Sequence, residues 1–351
     1  MIFTEIDAVR LDRHEDLNLL LAAKPAKPEL PSFEQYAALT RQQRQDLDAL
    51  RLDYLAGGLT ASTPQVKALI RNVRLAVLGN RGRASGRTGV MVSGQSTVGK
   101  TTACIAVMRG LRAMYSHQYP GFEGRGEIPV AYVEVPSGSS AKAMIGRFAH
   151  FYGLELPKSC TLEEILHAVV TAMRTCSTQL VVVDELQNLS RVSQGNGESV
   201  DVLKSLSNQV PSTFVYSGIN IHRGGLLTGE RGNQISRRFT LLEMHRYGNA
   251  TKEEVKAWKG IVMAFSEQLP LLAHEPKSLL KTAAWLHKRS GGNIGTLQRI
   301  LVGGSQLRIL DGDPAQETLT REYMEAIPID MAAETKRGQL DDSPALRQLA
   351  G

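Results

Sequence analysis

The chain has 351 residues, a net charge of +6, 42% apolar residues and 22% charged residues. That composition suits one or two folded domains and excludes wholesale disorder, collagen-like sequence and a disulfide-knit miniprotein. Cys104, Cys160 and Cys176 form no Cys-x-x-Cys pair, so they read as reduced thiols with no zinc clip. No apolar run approaches the ~18 residues of a membrane helix, and Met1 to Glu5 show no secretion pattern. The expectation is a cytoplasmic protein with no membrane partner.

Residues 1–60 carry a net charge of −3, residues 61–150 carry +9, and residues 151–351 are neutral. The whole positive excess therefore lies in one block, where it can attract a polyanion or serve a bound triphosphate.

In chain order, residues 1–31 show no clear periodicity, and Lys24 to Pro28 read as an exposed linker. Ser32 and Gln35 form a capping-box pair that opens a helix predicted to run to Ala56, where Gly57 and Gly58 stop it. Thr63 followed by Pro64 starts a second helix to about Leu78. From Gly89 onward, short apolar runs alternate with helical segments. The expected strands are 89–93, 128–135, 180–184, 213–217 and 239–243. Helices are expected over 99–116, 140–153, 161–176 and 198–209. This alternation indicates an α/β core in which a five-stranded parallel sheet is flanked by helices. After Gly248 the pattern is purely helical, with segments near 251–268, 276–289, 294–310 and 320–326. The expected organisation is an N-terminal extension over 1–60, an α/β core over 61–248, a C-terminal all-helical lid over 249–330 and a loose tail over 331–351.

Gly94, Gln95, Ser96, Thr97, Val98, Gly99, Lys100, Thr101 and Thr102 match the pattern G-x-x-x-x-G-K-[ST], between a strand and a helix. Glycines allow the backbone to wrap a β-phosphate, and the helix that follows adds its N-terminal dipole. Lys100 is expected to reach the β- and γ-phosphates, and the Thr101 hydroxyl to bind Mg²⁺ beside ATP. Leu180 to Val183 run into Asp184 and Glu185, placing two carboxylates at the C-terminal edge of a central strand. Asp184 is expected in the Mg²⁺ shell, and Glu185 as the general base that polarises water. Asn220 ends the fourth strand as a candidate γ-phosphate or water contact, with Ser217 in reserve. Arg237 and Arg238 precede the fifth strand, where an arginine can complete a neighbouring subunit's site.

Assembled in this order, the chain resembles an AAA+ P-loop ATPase. Within that superfamily it resembles the TniB/TnsC transposition regulators, relatives of MuB and IstB. The residues that carry the likeness are Thr63 and Pro64, the phosphate loop, Val183 to Asn188, Arg237 to Phe239, and Ser290 to Gly295. The resemblance implies an ATPase that oligomerises on duplex DNA as a ring or helical filament, largely without sequence preference. It further implies recruitment of a DDE transposase and work with a TniQ-type target selector. It places DNA contacts at Lys142 and Arg147 and, further on, at Lys158 and Thr161, positions suited to phosphate rather than base contacts. The alternative is a helicase-loader-type AAA+ ATPase of the DnaC/IstB kind. One departure from the pattern is that Asn293 to Thr296 offer no lid arginine, and Arg299 lies one turn further on.

Overall fold

The structure is a computed structural model that describes residues 10–23, 26–189, 196–221 and 237–329. The tail expected over 331–351 lies outside the described residues. The chain divides into two compact units, one drawn from residues 1–24 and 64–244 and the other from 25–63 and 245–351. The helices in chain order are α1 (His14–Ala22), α2 (Phe33–Ala38), α3 (Arg41–Ala56), α4 (Pro64–Asn80), α5 (Lys100–Gln118), α6 (Ala141–Phe151), α7 (Leu162–Thr175) and α8 (Asn196–Gln209). They continue with α9 (Lys252–Ser266), α10 (Ala283–Ser290), α11 (Ile294–Asp311) and α12 (Arg321–Glu325). The strands are β1 (Gly89–Gly94), β2 (Val130–Glu134), β3 (Leu180–Asp184), β4 (Thr213–Gly218) and β5 (Phe239–Met244).

The first unit is built on one sheet of order β2-β3-β4-β1-β5 in which every pairing is parallel. β3 and β4 are buried along their whole length, which explains why they read as continuous runs rather than alternating patterns. The register sets Val90 beside Val215, Val182 beside Val215, and Glu134 beside Asp184. Parallel pairing brings the ends of β1, β2, β3 and β4 to one edge, and that edge positions the site. α4 and α5 pack together against β1, while α6 lies on β2 and α7.

α1 belongs to this unit, although its residues show no periodic sign of a helix. Only Leu17 and Leu21 are buried there, too few for a pattern. Side chains of α5 hold it: Arg112 Nε donates to Asn18 Oδ1 at 2.6 Å, and Arg109 donates to the Leu20 carbonyl at 3.2 Å.

The second unit is helical. Its core joins Leu55 and Leu59 to Trp258, Ile261, Phe265, Leu286, Leu297, Ile300 and Met324. The expected 1–60 extension is therefore not a separate piece, because its helices α2 and α3 fall in the helical unit. One cause is Arg51, fully buried on α3, whose guanidinium donates to both Glu317 oxygens at 2.5 and 3.0 Å and to the Pro270 carbonyl at 3.2 Å. The single helix expected over 33–56 is also two helices. Thr40 is extended and forms a second capping box with Gln43, so the chain restarts there. Likewise, the helix expected over 276–289 begins as a 3-10 turn over Pro276–Thr282 before α10. Among the described residues, no helix is long and apolar enough to cross a membrane.

Candidate nucleotide-binding and hydrolysis site

The phosphate loop leaves the end of β1 and enters α5. Gly99 is the N-cap of α5, with φ of 92°, no side-chain cap, and open space where a Cβ would stand. The first turn of α5 carries no acidic residue, so its backbone N–H groups form a cradle suited to an anion. Thr97 is also left-handed, at φ 64°. Lys100 is 7% exposed and donates to the Gln95 carbonyl at 2.9 Å, folding its ammonium back over the loop. Burial lowers its pKa, and the charges of Glu185 and Asp184 pull the other way.

Asp184 ends β3 with 1% exposure. Its Oδ2 accepts from the Thr101 hydroxyl at 2.9 Å and from the Tyr132 phenol at 3.1 Å, and its Oδ1 accepts from the Glu185 N–H at 2.9 Å. The structure thus brings together the Thr101 and Asp184 that the sequence proposed as a pair across 83 positions. A hydroxyl and a carboxylate oxygen are hard donors of the kind Mg²⁺ takes alongside phosphate and water. Glu134 lies beside Asp184 in register, and its pKa is raised by burial and by the charges of Asp184 and Glu185. This edge concentrates negative charge that a bound cation would relieve.

Tyr132 was not legible in the sequence, since it is one apolar residue of a buried strand. Its phenol is pushed upward first by burial and then by Asp184, so it stays a donor and fixes one carboxylate oxygen.

Glu185 sits just past β3 in the left-handed region, at φ 55° and ψ 37°. Its carboxylate accepts from the side-chain amide of Gln187. The other end of that amide, Gln187 Oε1, accepts from the Ile219 N–H at 2.8 Å. Gly218 permits this bridge, because a Cβ there would collide with Gln187 Oε1. Gln187 therefore ties the proposed base to the tip of β4, a role for which the sequence offered no signal beyond position. Asn220 is exposed on that tip with φ of 49°, whereas Ser217 is fully buried within the strand beside Cys104.

Arg237 and Arg238 lie at the other end of the sheet. The Arg238 carbonyl accepts from the Gly89 N–H at 3.1 Å, where β1 begins, while the loop follows β1's end. Six residues of strand, about 20 Å, separate them from the phosphate loop of their own chain. Arg238 also donates to Asn208 Oδ1 at 2.9 Å, and Arg237 is exposed.

The four residues proposed for DNA are placed unevenly. Lys142 is exposed in the first turn of α6, which is capped by Ser140 and free of acidic residues. Lys158 is exposed between α6 and α7. Arg147 faces Asp12 at 3.8 Å. Thr161 caps α7, its hydroxyl donating to Glu164 Oε2 at 2.9 Å and accepting from the Glu164 N–H at 3.2 Å. Glu164 is held below the usual carboxylate range first by the Thr161 backbone N–H, which donates to its Oε2 at 2.7 Å, then by the Thr161 hydroxyl, with Lys142 adding a smaller pull.

A model of the bacterial TniB protein family matches residues 51–249. The chain belongs to the TniB family. Like the family expectation drawn from its motifs, it is an AAA+ ATPase with a five-stranded parallel sheet and a helical C-terminal region. Among solved structures, it is similar to the ORC1 protein of Aeropyrum pernix in complex with DNA, at 16% identity and a TM-score of 0.57, covering 82% of this chain and 68% of that one. It is likewise similar to ORC2 of the same organism in ADPNP and ADP complexes, at 16% identity and a TM-score of 0.54, covering 76% and 68%. At that identity the likeness speaks for the fold alone. Comparison with curated proteins gave no match.

Proposed function

We propose that this TniB-family chain is an ATP-dependent regulator of DNA transposition that assembles on duplex DNA and presents a DDE transposase with its target. The observation that carries the nucleotide half is the Thr101–Asp184 pair beneath the α5 N-terminus. The DNA half is supported by family membership and by a basic excess confined to residues 61–150.

ATP would be held by residues 94–102, and Mg²⁺ by Thr101 and Asp184. The cation's contribution is to neutralise charge on the β- and γ-phosphates. Lys100 supplies a fixed positive charge from a buried position. Glu185 accepts a proton from water, oriented through Gln187 toward the tip of β4, where Asn220 is exposed. In an oligomer, Arg237 is the finger offered to the next subunit, since Arg238 is engaged by Asn208. A TniQ-type selector and a DDE transposase complete the proposed partnership.

Binding to duplexes of unrelated sequence, measured with and without a non-hydrolysable ATP analogue, tests this reading. Wild type should bind all of them tightly only with nucleotide, and Lys100→Ala should not respond to nucleotide. Binding that ignores nucleotide would overturn the proposal.

A further inference from the structure

α3 and α4 each carry an exposed strip that the site does not use. On α4 the residues Lys67, Arg71, Arg74, Leu75 and Leu78 are all exposed. Leu75 is 61% and Leu78 is 55% exposed, large values for leucines in the middle and last turns of a 17-residue helix. α4 contains no acidic residue, so these three cations have no partner on their own helix. On α3 the residues Gln42, Asp46, Ala49, Leu50 and Asp53 are exposed, with Leu50 at 61%. Its only charges on that strip are acidic. The offsets i, i+4, i+7, i+8 and i+11 are the same in both helices, one continuous ridge along each.

We infer that the α4 strip of one copy docks on the α3 strip of a second copy of this chain. On α3 Leu50 lies between Asp46 and Asp53, and on α4 Leu75 and Leu78 follow Lys67, Arg71 and Arg74 along the strip, so each pairs exposed leucine with charge, of opposite sign on the two helices. Apolar contact beside complementary charge is the pattern of a specific protein interface. A duplex would have use for Lys67, Arg71 and Arg74 but none for Leu75 and Leu78 beside them, since phosphate contacts call for cations and polar groups. Because the two strips are different surfaces, each copy has one of each to offer. Such a contact is heterologous and propagates into a closed ring or an open helical filament. The inference rests on the reading that the chain oligomerises, and it assigns that assembly a surface.

Charge reversal tests it on the full chain. One variant carries Arg71→Glu and Arg74→Glu, and the other carries Asp46→Lys and Asp53→Lys. Sedimentation is followed with Mg²⁺ and a non-hydrolysable ATP analogue, with and without duplex DNA. Each variant alone should lose self-association by about a hundredfold or more, because like charges then face one another. Mixing the two should restore assembly, since both new pairings are of opposite sign. That recovery also shows both variants are folded. A disulfide between Leu50→Cys and Leu75→Cys should form between differently tagged copies.

If both reversed variants assemble like wild type, the surface is wrong while the oligomer reading stands. If wild type stays monomeric under every condition, the oligomer reading and this inference fall together. An α4 variant that sediments normally but loses DNA assigns the strip to nucleic acid and overturns the inference. An engineered disulfide confined to single chains overturns it as well.

Discussion

In the proposed reading, Lys100, Glu185 and Gln187 act through different physical terms, so their substitutions should separate in kinetics. Lys100→Ala removes the buried charge over the loop and should abolish ATP binding in calorimetry. Glu185→Gln keeps the site's shape but loses the proposed proton acceptor, so ATP should still bind while turnover falls about 10²- to 10⁴-fold. Gln187→Leu removes the hydrogen bond that aims Glu185 and ties it to Ile219. A hydrogen bond to a charged group is worth about 1.5–3 kcal/mol, so kcat should drop roughly ten- to a hundredfold with ATP affinity retained. A Gln187→Leu enzyme with normal kcat would leave Glu185 without its positioning residue.

Among the elements, the helical unit rests on a charged group in its core. Arg51 has no exposure, and Glu317, 266 positions away, is 1% exposed. Glu317 also accepts from the Leu272 N–H at 2.9 Å. Replacing Arg51 with Met leaves that carboxylate unpaired, and urea melts should lose about 3–5 kcal/mol. Replacing both members with apolar residues should cost less. His274 gives the same unit a pH dependence. Its Nε2 meets the Ser266 hydroxyl at 2.8 Å, its Nδ1 is buried with no partner, and burial, helped by Lys27, pushes its pKa down to about 4. Its ordinary value is about 6.5, so between pH 6.5 and 4 the unfolded chain holds the extra proton. Stability should therefore be full above pH 6.5 and fall by about 1–2 kcal/mol toward pH 4, allowing for partial exposure. His274→Gln should flatten that fall in thermal melts.

The elements also show what a sequence can disclose. The phosphate loop and the acidic end of β3 were legible because each is a local pattern whose spacing is set by backbone geometry. β3 and β4 were legible because burial on both faces demands an unbroken apolar run. The break at Thr40 was readable in principle, as Thr40 and Gln43 repeat the capping pattern of Ser32 and Gln35. Tyr132, Gln187 and the Arg51–Glu317 pair were not, because their roles arise from side chains that reach across the fold. α1 was missed for the same reason: arginines reaching over from α5 help to hold it, beside its own two buried leucines.

For the whole molecule, a parallel sheet puts the phosphate loop at one edge and Arg237 at the other, so one chain cannot bring them together through β1 and β5. Arg237→Ala should preserve ATP binding but depress hydrolysis, and mixing it with Lys100→Ala should recover part of the activity. Mixtures that never recover would remove the in-trans role. On DNA, Lys142→Ala and Lys158→Ala should each weaken binding to every duplex alike and lower the salt slope by roughly one unit. ATP turnover without DNA should not change. Nucleotide-dependent assembly on DNA is tested most directly by electron microscopy of the Glu185→Gln chain on a duplex with ATP and Mg²⁺. A continuous protein ring or helical filament around the duplex is expected, absent when Lys100→Ala is added. Bare DNA with dispersed monomers would contradict it.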